Sequence, residues 1–431
     1  MYRKAGMKIA ASVLMAALLT QGGCFKIVHY VASDPLAKIE SFAENVGSIQ
    51  DIDAPDGARI IGFGEAAHGN KEFQRMKLDV FKEMVEKEGV RCFALEADMA
   101  GCFKAENYTL RDQGSSEEAT RAVGFSIYRT DEIKQLLEWI HDYNQGKEDS
   151  GKIRFMGFDN AYGEDSVLVI KEFYETNGLT KASDFAQRLD TYFCSEYGEC
   201  TDSSKYSEVK ALVEEIISDL KENESSLKQK CGEDTYEMMV KIADGLSFYL
   251  DRSLSKKMDS SGRDRRLAEN VTWICDREEK RGSKLFISGH NGHLGKVNTI
   301  ASQITNMGTL LAEEYGDAYY VIGSDYYESN CSFPGNNKRE DHKLCSDDPL
   351  AFQVSFLGTN ECYMDFAKVD RNSEVYKYVS ENMTMGSLGE QYSIAMDLMS
   401  SMRAVNAIPA KMYDGMIFVY EATPIEVWPA N

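Results

Sequence analysis

Residues Ile60 to Asn70, IIGFGEAAHGN, decide how this chain is read. The run from Arg59 to Phe63 is short, apolar and isoleucine-rich, and a glycine interrupts it before Glu65. That is the pattern of a buried strand ending in a tight turn. From Lys71 to Lys87, Phe73, Met76, Val80, Phe81 and Met84 recur at helical spacing, so a helix with one apolar face follows. Glu65 and His68 therefore fall in the turn of a strand–turn–helix unit. Open α/β sheets bind their ligands there, beyond the carboxyl ends of the strands.

The same grammar continues outward. Asp34 to Val46 reads as a short amphipathic helix leading into the first strand. Val90 to Ala97 (VRCFALEA) is a second buried strand, ending on Glu96. Asp131 to Tyr143 is an amphipathic helix, and Ile153 to Phe158 is a third strand running into Asp159. Strands alternating with helices indicate a parallel sheet. From Asp165 to Lys280 the sequence is charged and helical, with Tyr192, Phe193, Tyr197 and Tyr206 as pocket-lining or packing aromatics. Lys284 to Ser288 (KLFIS) is again a strand and runs into Gly289, His290, Asn291, Gly292 and His293. Further short strands are predicted at Tyr319–Gly323, Phe352–Leu357, Glu361–Phe366 and Met416–Tyr420, with a long polar loop from Ser324 to Pro349. The expected fold is α/β: one domain over residues 34–424, with a central, mostly parallel sheet flanked by helices. A helical insertion subdomain, about residues 165–280, is expected over the cleft.

Among 431 residues, 48 are basic and 70 acidic, a net charge of -22 that repels phosphate backbones and argues against nucleic-acid partners. At the N-terminus Arg3, Lys4 and Lys8 precede an apolar run from Ile9 to Leu19, then Gly22, Gly23 and Cys24. Residues 1–24 thus follow the plan of a signal peptide, too short for a comfortable membrane span. The Cys after small residues is similar to a bacterial lipoprotein cleavage site, although Gln21 departs from that pattern. The protein is expected to be exported, either secreted or held at the membrane by a lipid on Cys24; an uncleaved anchor is the alternative. Of ten cysteines, Cys194 with Cys200 and Cys331 with Cys345 are the candidate disulfides. Cys92, Cys102, Cys275 and Cys362 sit in apolar contexts and read as buried thiols.

Only six histidines occur, and His68, His290 and His293 all stand at strand-to-loop junctions beside glycines, unlike His29, His141 and His342. A lone histidine in such a place is by default a hydrogen-bonded structural residue. Three of them with Glu65 and Glu96 at one sheet edge specify a functional site. A histidine is the natural general base near neutral pH, and a neighbouring carboxylate fixes its tautomer and raises its basicity. The second His and second carboxylate can position water or stabilise an oxyanion. No GxSxG elbow is present, so attack by an activated water fits better than a covalent serine. Glu65-x-x-His68, Glu96 and His290-x-x-His293 are also chemically competent metal ligands, which keeps a metal-dependent hydrolase as an alternative.

These residues sit in a wider pattern: GEAAHG with Glu72 and Phe73, LEA ending at Glu96, LLEWIHDYN with FMGFDN, and RDRRLAENVTW from Arg263 to Trp273. GHNGHLGK, MGTLLAEEYGDAYYVIG and YDGMIFVYEATP follow in order. In this set, from about Arg59 to Pro424, the chain resembles the erythromycin esterase family. The resemblance implies an α/β core with a helical subdomain and water-mediated hydrolysis of an ester or macrolactone. It implies that His68 is the general base, Glu65 the acidic residue before it, and Glu96, His290 and His293 the other polar residues lining the cleft. Asn291, Arg263 and Lys77 are carried with His293 as substrate-contacting positions. Lys77 departs from the family, which has Arg there, and Lys offers a point charge in place of a planar fork. No cofactor is expected, with a divalent metal as the alternative, and the partner is a small-molecule ester or lactone. A non-catalytic, haem-binding lipoprotein with His290 or His293 as axial ligand is the third reading.

Overall fold

Strand β1 (Ile60–Glu65) is buried along its whole length, because it lies inside the sheet and both of its faces are covered. The further strands are β2 (Val90–Asp98), β3 (Arg154–Asp159), β4 (Lys284–His290), β5 (Tyr319–Pro334), β6 (Arg339–Cys345), β7 (Glu361–Asp365), β8 (Met383–Gly386), β9 (Ala404–Ala407) and β10 (Gly415–Ala422). The computed structural model describes residues 39–193, 203–254, 260–298, 305–336 and 338–429. The expected signal peptide with Cys24, the first residues of the expected Asp34–Val46 helix, Tyr197 and the Cys194–Cys200 pair lie outside the described residues. Among those described, eight strands form one sheet in the order β3-β2-β4-β1-β5-β10-β7, with β6 paired to β5. β1 is parallel to both β4 and β5, and β7 is antiparallel to β10. The architecture is therefore the expected mostly parallel α/β sheet flanked by helices.

Alternation in β1 divides its side chains between two cores. Ile61 and Phe63 pack with Phe73, Phe81, Phe93 and Phe286 on one face, while Ile60 joins Leu285, Ile287 and Val321 on the other. Covering both faces is what permits near-continuous apolar strands in a parallel sheet. Helix α1 (Lys71–Glu88) turns Phe73, Met76, Val80, Phe81 and Met84 inward, as its spacing predicts, and ends at Gly89 with φ 67°. Helix α2 (Met99–Arg111) packs on β2 and β3, and α3 (Asp131–Asn144) packs on α1 and α2. Every regular element from Glu164 to Lys280 is helical among the described residues. The last of them, α4 (Ser260–Lys280), packs on β2, β3 and β4. The short helix α5 (Asn291–Leu294) starts directly after β4.

Three local expectations are corrected. Phe352–Leu357 is helical: Asp348 accepts the Leu350 and Ala351 N–H groups and Pro349 occupies the first turn, starting a helix at Pro349–Gln353. Ser324–Pro349 is not a loop, because β5 runs on to Pro334 and folds back as β6; its polar residues Ser324, Ser329 and Ser332 are buried. Cys331 and Cys345 are both free and buried. The antiparallel register sets Cys331 opposite His342 and Cys345 opposite Glu328, so they are not neighbours. Cys92, Cys102, Cys275 and Cys362 are buried thiols, as read from their apolar settings.

Candidate active site

At the carboxyl end of β1 the backbone turns sharply while Glu65 stays fully buried. The turn is held by Ser324 of β5, whose Oγ accepts the Ala66 N–H (3.0 Å) and donates to the Gly64 carbonyl (2.8 Å). Gly64 is required by close approach, since a Cβ there would stand 2.4 Å from Asn291 Oδ1. Glu65 then accepts from His68 Nδ1 (2.8 Å) with one oxygen and from the Lys77 ammonium with the other. Burial alone would raise the Glu65 carboxyl, but the Lys77 charge and the His68 bond outweigh it and hold it down to about 2. Burial works against a charge on His68 too. Its bond to Glu65 and the charges of Glu65, Glu96 and Glu390 reverse that and leave His68 above its usual value. With Nδ1–H spent on Glu65, the neutral ring carries its lone pair on Nε2, which has no hydrogen-bond partner among the described residues.

A second buried carboxylate, Glu96 in β2, binds the neighbouring histidine loop. Glu96 Oε2 accepts the His290 N–H (2.8 Å), an approach that Gly289 makes available: a Cβ there would lie 2.6 Å from the same oxygen. Oε1 accepts from Arg263 Nη2 (3.0 Å) and lies 3.3 Å from His293 Nε2. These cations overcome the cost of burial and hold Glu96 well below the carboxylate range. Arg263 reaches down from α4 and also forks onto Asp159 at the end of β3, at 3.2 and 2.6 Å. His293 donates from Nδ1 to Asp264 (2.6 Å) and faces Arg263 Nη1 at 3.0 Å through Nε2. Burial lowers His293, but Glu96 and Asp264 carry it above its usual value.

His290 behaves oppositely. Its Nδ1 accepts the Gly292 N–H (3.1 Å), so the neutral ring carries its proton on Nε2, a buried atom with no partner. Burial and the neighbouring His68 push it down to about 3, so it stays neutral at physiological pH. The His68 and His290 rings lie 4.8 Å apart between centroids. A basic nitrogen and a free N–H donor thus stand side by side.

The structure brings Glu65, His68, Glu96, His290, His293 and Arg263 together at one sheet edge, as the strand pattern predicts. Two assignments are corrected. Lys77 is not placed to contact a substrate: it is completely buried on α1 and serves as the counter-ion of Glu65. Asn291 spends its amide on the β5 backbone, donating to Ser324 O (2.7 Å) and accepting from Ser324 N–H (3.4 Å), so it ties the histidine loop to the sheet. Two members of the network, Asp159 and Asp264, were not singled out by sequence reasoning. Asp159 ends its strand as Glu65 and Glu96 end or nearly end theirs, which was the available signal, and Asp264 adjoins Arg263. The site does not suit a metal in this arrangement: Glu65 is taken by Lys77 and His68, Glu96 by Arg263 and His290. No group of three or more His, Cys, Asp or Glu among the described residues is arranged to hold an ion.

The model of a family described as erythromycin esterase matches residues 85–422, so Glu65 and His68 precede the matched stretch. The chain is 24% identical over 299 residues to an erythromycin esterase type II of Escherichia coli, covering 63% of this chain and 70% of that one. Among solved structures, one described as a succinoglycan biosynthesis protein superposes with a TM-score of 0.70 at 19% identity, covering 90% of this chain and 98% of the other. A variant of the erythromycin esterase EreC in its open conformation superposes with a TM-score of 0.62 at 16% identity, covering 87% and 93%. At such identities the structures establish the shared fold. With the family match spanning most of its length, this chain belongs to the erythromycin esterase family.

Proposed function

We propose that the protein is an exported hydrolase that cleaves a carboxylic ester or lactone with water activated by His68. The observation that carries this is the pairing of His68 Nδ1 to the buried, ionised Glu65, which leaves Nε2 as the free basic atom. Membership of a hydrolase family supports the reaction class, and the basic, apolar and small-residue succession at residues 1–24 supports export.

In this reading a water bound at His68 Nε2 attacks the ester carbonyl as its proton passes to the imidazole. A carbon–oxygen bond forms and the carbonyl becomes an oxyanion. The His290 Nε2–H is the donor offered to that developing charge, and the neutrality of His290 lets it donate without adding a like charge beside the imidazolium. Glu65 stabilises the imidazolium. Collapse then breaks the bond to the leaving alkoxide, which takes the proton back from His68. Arg263, His293 and Glu96 hold the histidine loop, with Arg263 still partly exposed toward the cleft.

Erythromycin and p-nitrophenyl acetate incubated with the purified chain and its His68→Ala variant test this. Product with the mass of one added water, formed by the wild type and reduced at least about 10²-fold in the variant, is expected. Equal turnover by the variant removes His68 as the base. Loss of neither ester in the presence of folded wild type removes these substrates.

A further inference from the structure

Between β1, which ends at Glu65, and α1, which starts at Lys71, the turn that carries His68 is held by segments distant in the chain. On one side lies the stretch that follows β8. Leu388 N–H donates to Ala66 O (2.8 Å), and His68 N–H donates to Leu388 O (3.2 Å). On the other side lies the extension of β5. Ser332 N–H donates to Gly69 O (3.1 Å), an oxygen that also accepts the Ile425 N–H (3.1 Å). Asn70 adds two bonds to the same strand, donating to Asn330 O (3.1 Å) and accepting from Ser329 Oγ (2.7 Å). The approach leaves no room for a side chain, since a Cβ on Gly69 would strike the Ser332 carbonyl.

Arg339 joins the two flanking segments. It opens β6, opposite Pro334 of β5. Its Nε donates to Ser332 Oγ (3.2 Å), its Nη2 to Ser332 O (2.7 Å) and its Nη1 to Glu390 Oε1 (3.0 Å). A guanidinium is a rigid planar fork, so one arrangement of Ser332 and Glu390 meets all three bonds. The side chain is 18% exposed, which sets it apart from a solvated surface ion pair. Tyr392, two residues beyond Glu390, stacks on His342 of β6 with centroids 3.5 Å apart and packs on Phe333 at 5.7 Å. The segment therefore lies against the β5–β6 hairpin past the ion pair as well. With both oxygens of Ser332 on Arg339 and its N–H on Gly69, one residue passes the position of the guanidinium to the turn.

We propose that Arg339 is a positioning residue of the general base: it ties Ser332 to Glu390 and so closes the two flanking segments on the turn that carries His68. The consequence is felt at the ring. His68 Nδ1 reaches Glu65 across a turn whose N–H and carbonyl groups the two segments fix. A tilt of that turn lengthens the bond and lets the proton of the neutral ring move to Nε2, the atom that must be bare to take a proton from water. A misplacement of about 1 Å in such a group costs on the order of 10²-fold in rate. The effect on turnover rests on the ester-hydrolase reading above; the clamp itself does not.

The test compares the full chain with Arg339→Met and Glu390→Ala variants, and with Lys343→Met, which breaks another ion pair of β6, as the control. The readouts are hydrogen exchange of peptides over residues 64–72 and 384–392, nitrogen-15 signals of His68 in histidine-labelled protein at alkaline pH, and kinetics on p-nitrophenyl acetate. The His68 signals are assigned by their loss in His68→Ala. Exchange over both peptides is expected to quicken at least about tenfold in the two variants. The His68 nitrogens, fixed in the wild type with the proton on Nδ1, should move toward the average of the two tautomers. kcat should fall at least about tenfold with KM unchanged within about twofold, since Arg339 holds the base and not the ester. Unchanged exchange or unchanged ring signals overturn the clamp. So does a KM that rises at constant kcat, which makes Arg339 a substrate contact, or an equal loss in Lys343→Met, which marks a hairpin weakened as a whole. If Arg339→Met does not fold, Glu390→Ala, which leaves the Ser332 bonds in place, decides on the same terms. If no ester turns over, the hydrolase reading fails, and exchange and the ring signals decide the clamp alone.

Discussion

At His68, burial and a buried carboxylate pull in opposite directions, and the carboxylate wins. In the proposed mechanism the working base is the neutral ring, so an elevated His68 leaves more of the protein inactive at low pH. kcat/KM is expected to rise with pH through an inflection above the usual histidine value of 6.5. Glu65→Gln removes the charge that holds the proton on His68 while the burial stays. The inflection should therefore move to lower pH as the plateau falls, by roughly 10²-fold. A pH–rate profile for both proteins checks the sign: an inflection that stays or moves upward refutes the pairing. Lys77 explains why Glu65 can be buried and ionised at once. An anion with no exposed surface needs a counter-ion, and α1 supplies one from its buried face. That role was not visible in the sequence, where Lys77 lies on a helix whose charged positions are mostly solvated.

At the scale of elements, strand ends do the positioning. β1, β2, β3 and β4 carry Glu65, Glu96, Asp159 and His290 at or near their carboxyl ends, and α4 lowers Arg263 into the gap between β2 and β3. The apolar strands and the glycines behind the acidic residues made most of this legible. The extension of β5 and the helix at Pro349–Gln353 were not, because buried serines and aspartates that bond the backbone look like loop residues in a sequence. Asn291 was misjudged for the same reason, as its bonds go to a strand distant in the chain. One tight fit between elements is at Gly289, where β4 passes the Glu96 side chain. A methyl group there meets Glu96 Oε2 at 2.6 Å and its Cβ at 2.8 Å. Gly289→Ala is expected to displace Glu96, to cost about 1–3 kcal/mol in urea unfolding and to reduce turnover in parallel. Wild-type stability and turnover would show that the two strands can separate freely.

At the scale of the whole molecule, one buried acid pair links the site's surroundings to stability. Asp325 follows Ser324 in β5, receives the Gly386 N–H at the end of β8, and shares its burial with Asp348. Burial and the Asp348 charge raise Asp325 well above 3.8, so the native pair keeps a proton that the unfolded chain releases. Below 3.8 both states are protonated. Above it the native state binds more protons, and stability falls with rising pH by about 1.4 kcal/mol per unit until the raised value is passed. Asp325→Asn keeps a donor toward Asp348 with no proton to lose. Its urea midpoint should be flatter across that window and higher than wild type at neutral pH; a parallel slope would assign the dependence elsewhere. The sheet order has a consequence of another kind. β1 pairs only with strands that leave the ribosome long after it: Ile60 waits for Leu285 on one side and Tyr319 on the other. The segment bearing Glu65 and His68 is thus made early and paired late. Until more than half of the chain has emerged β1 has no strand partner, and the Ser324 bonds that hold its turn form later still.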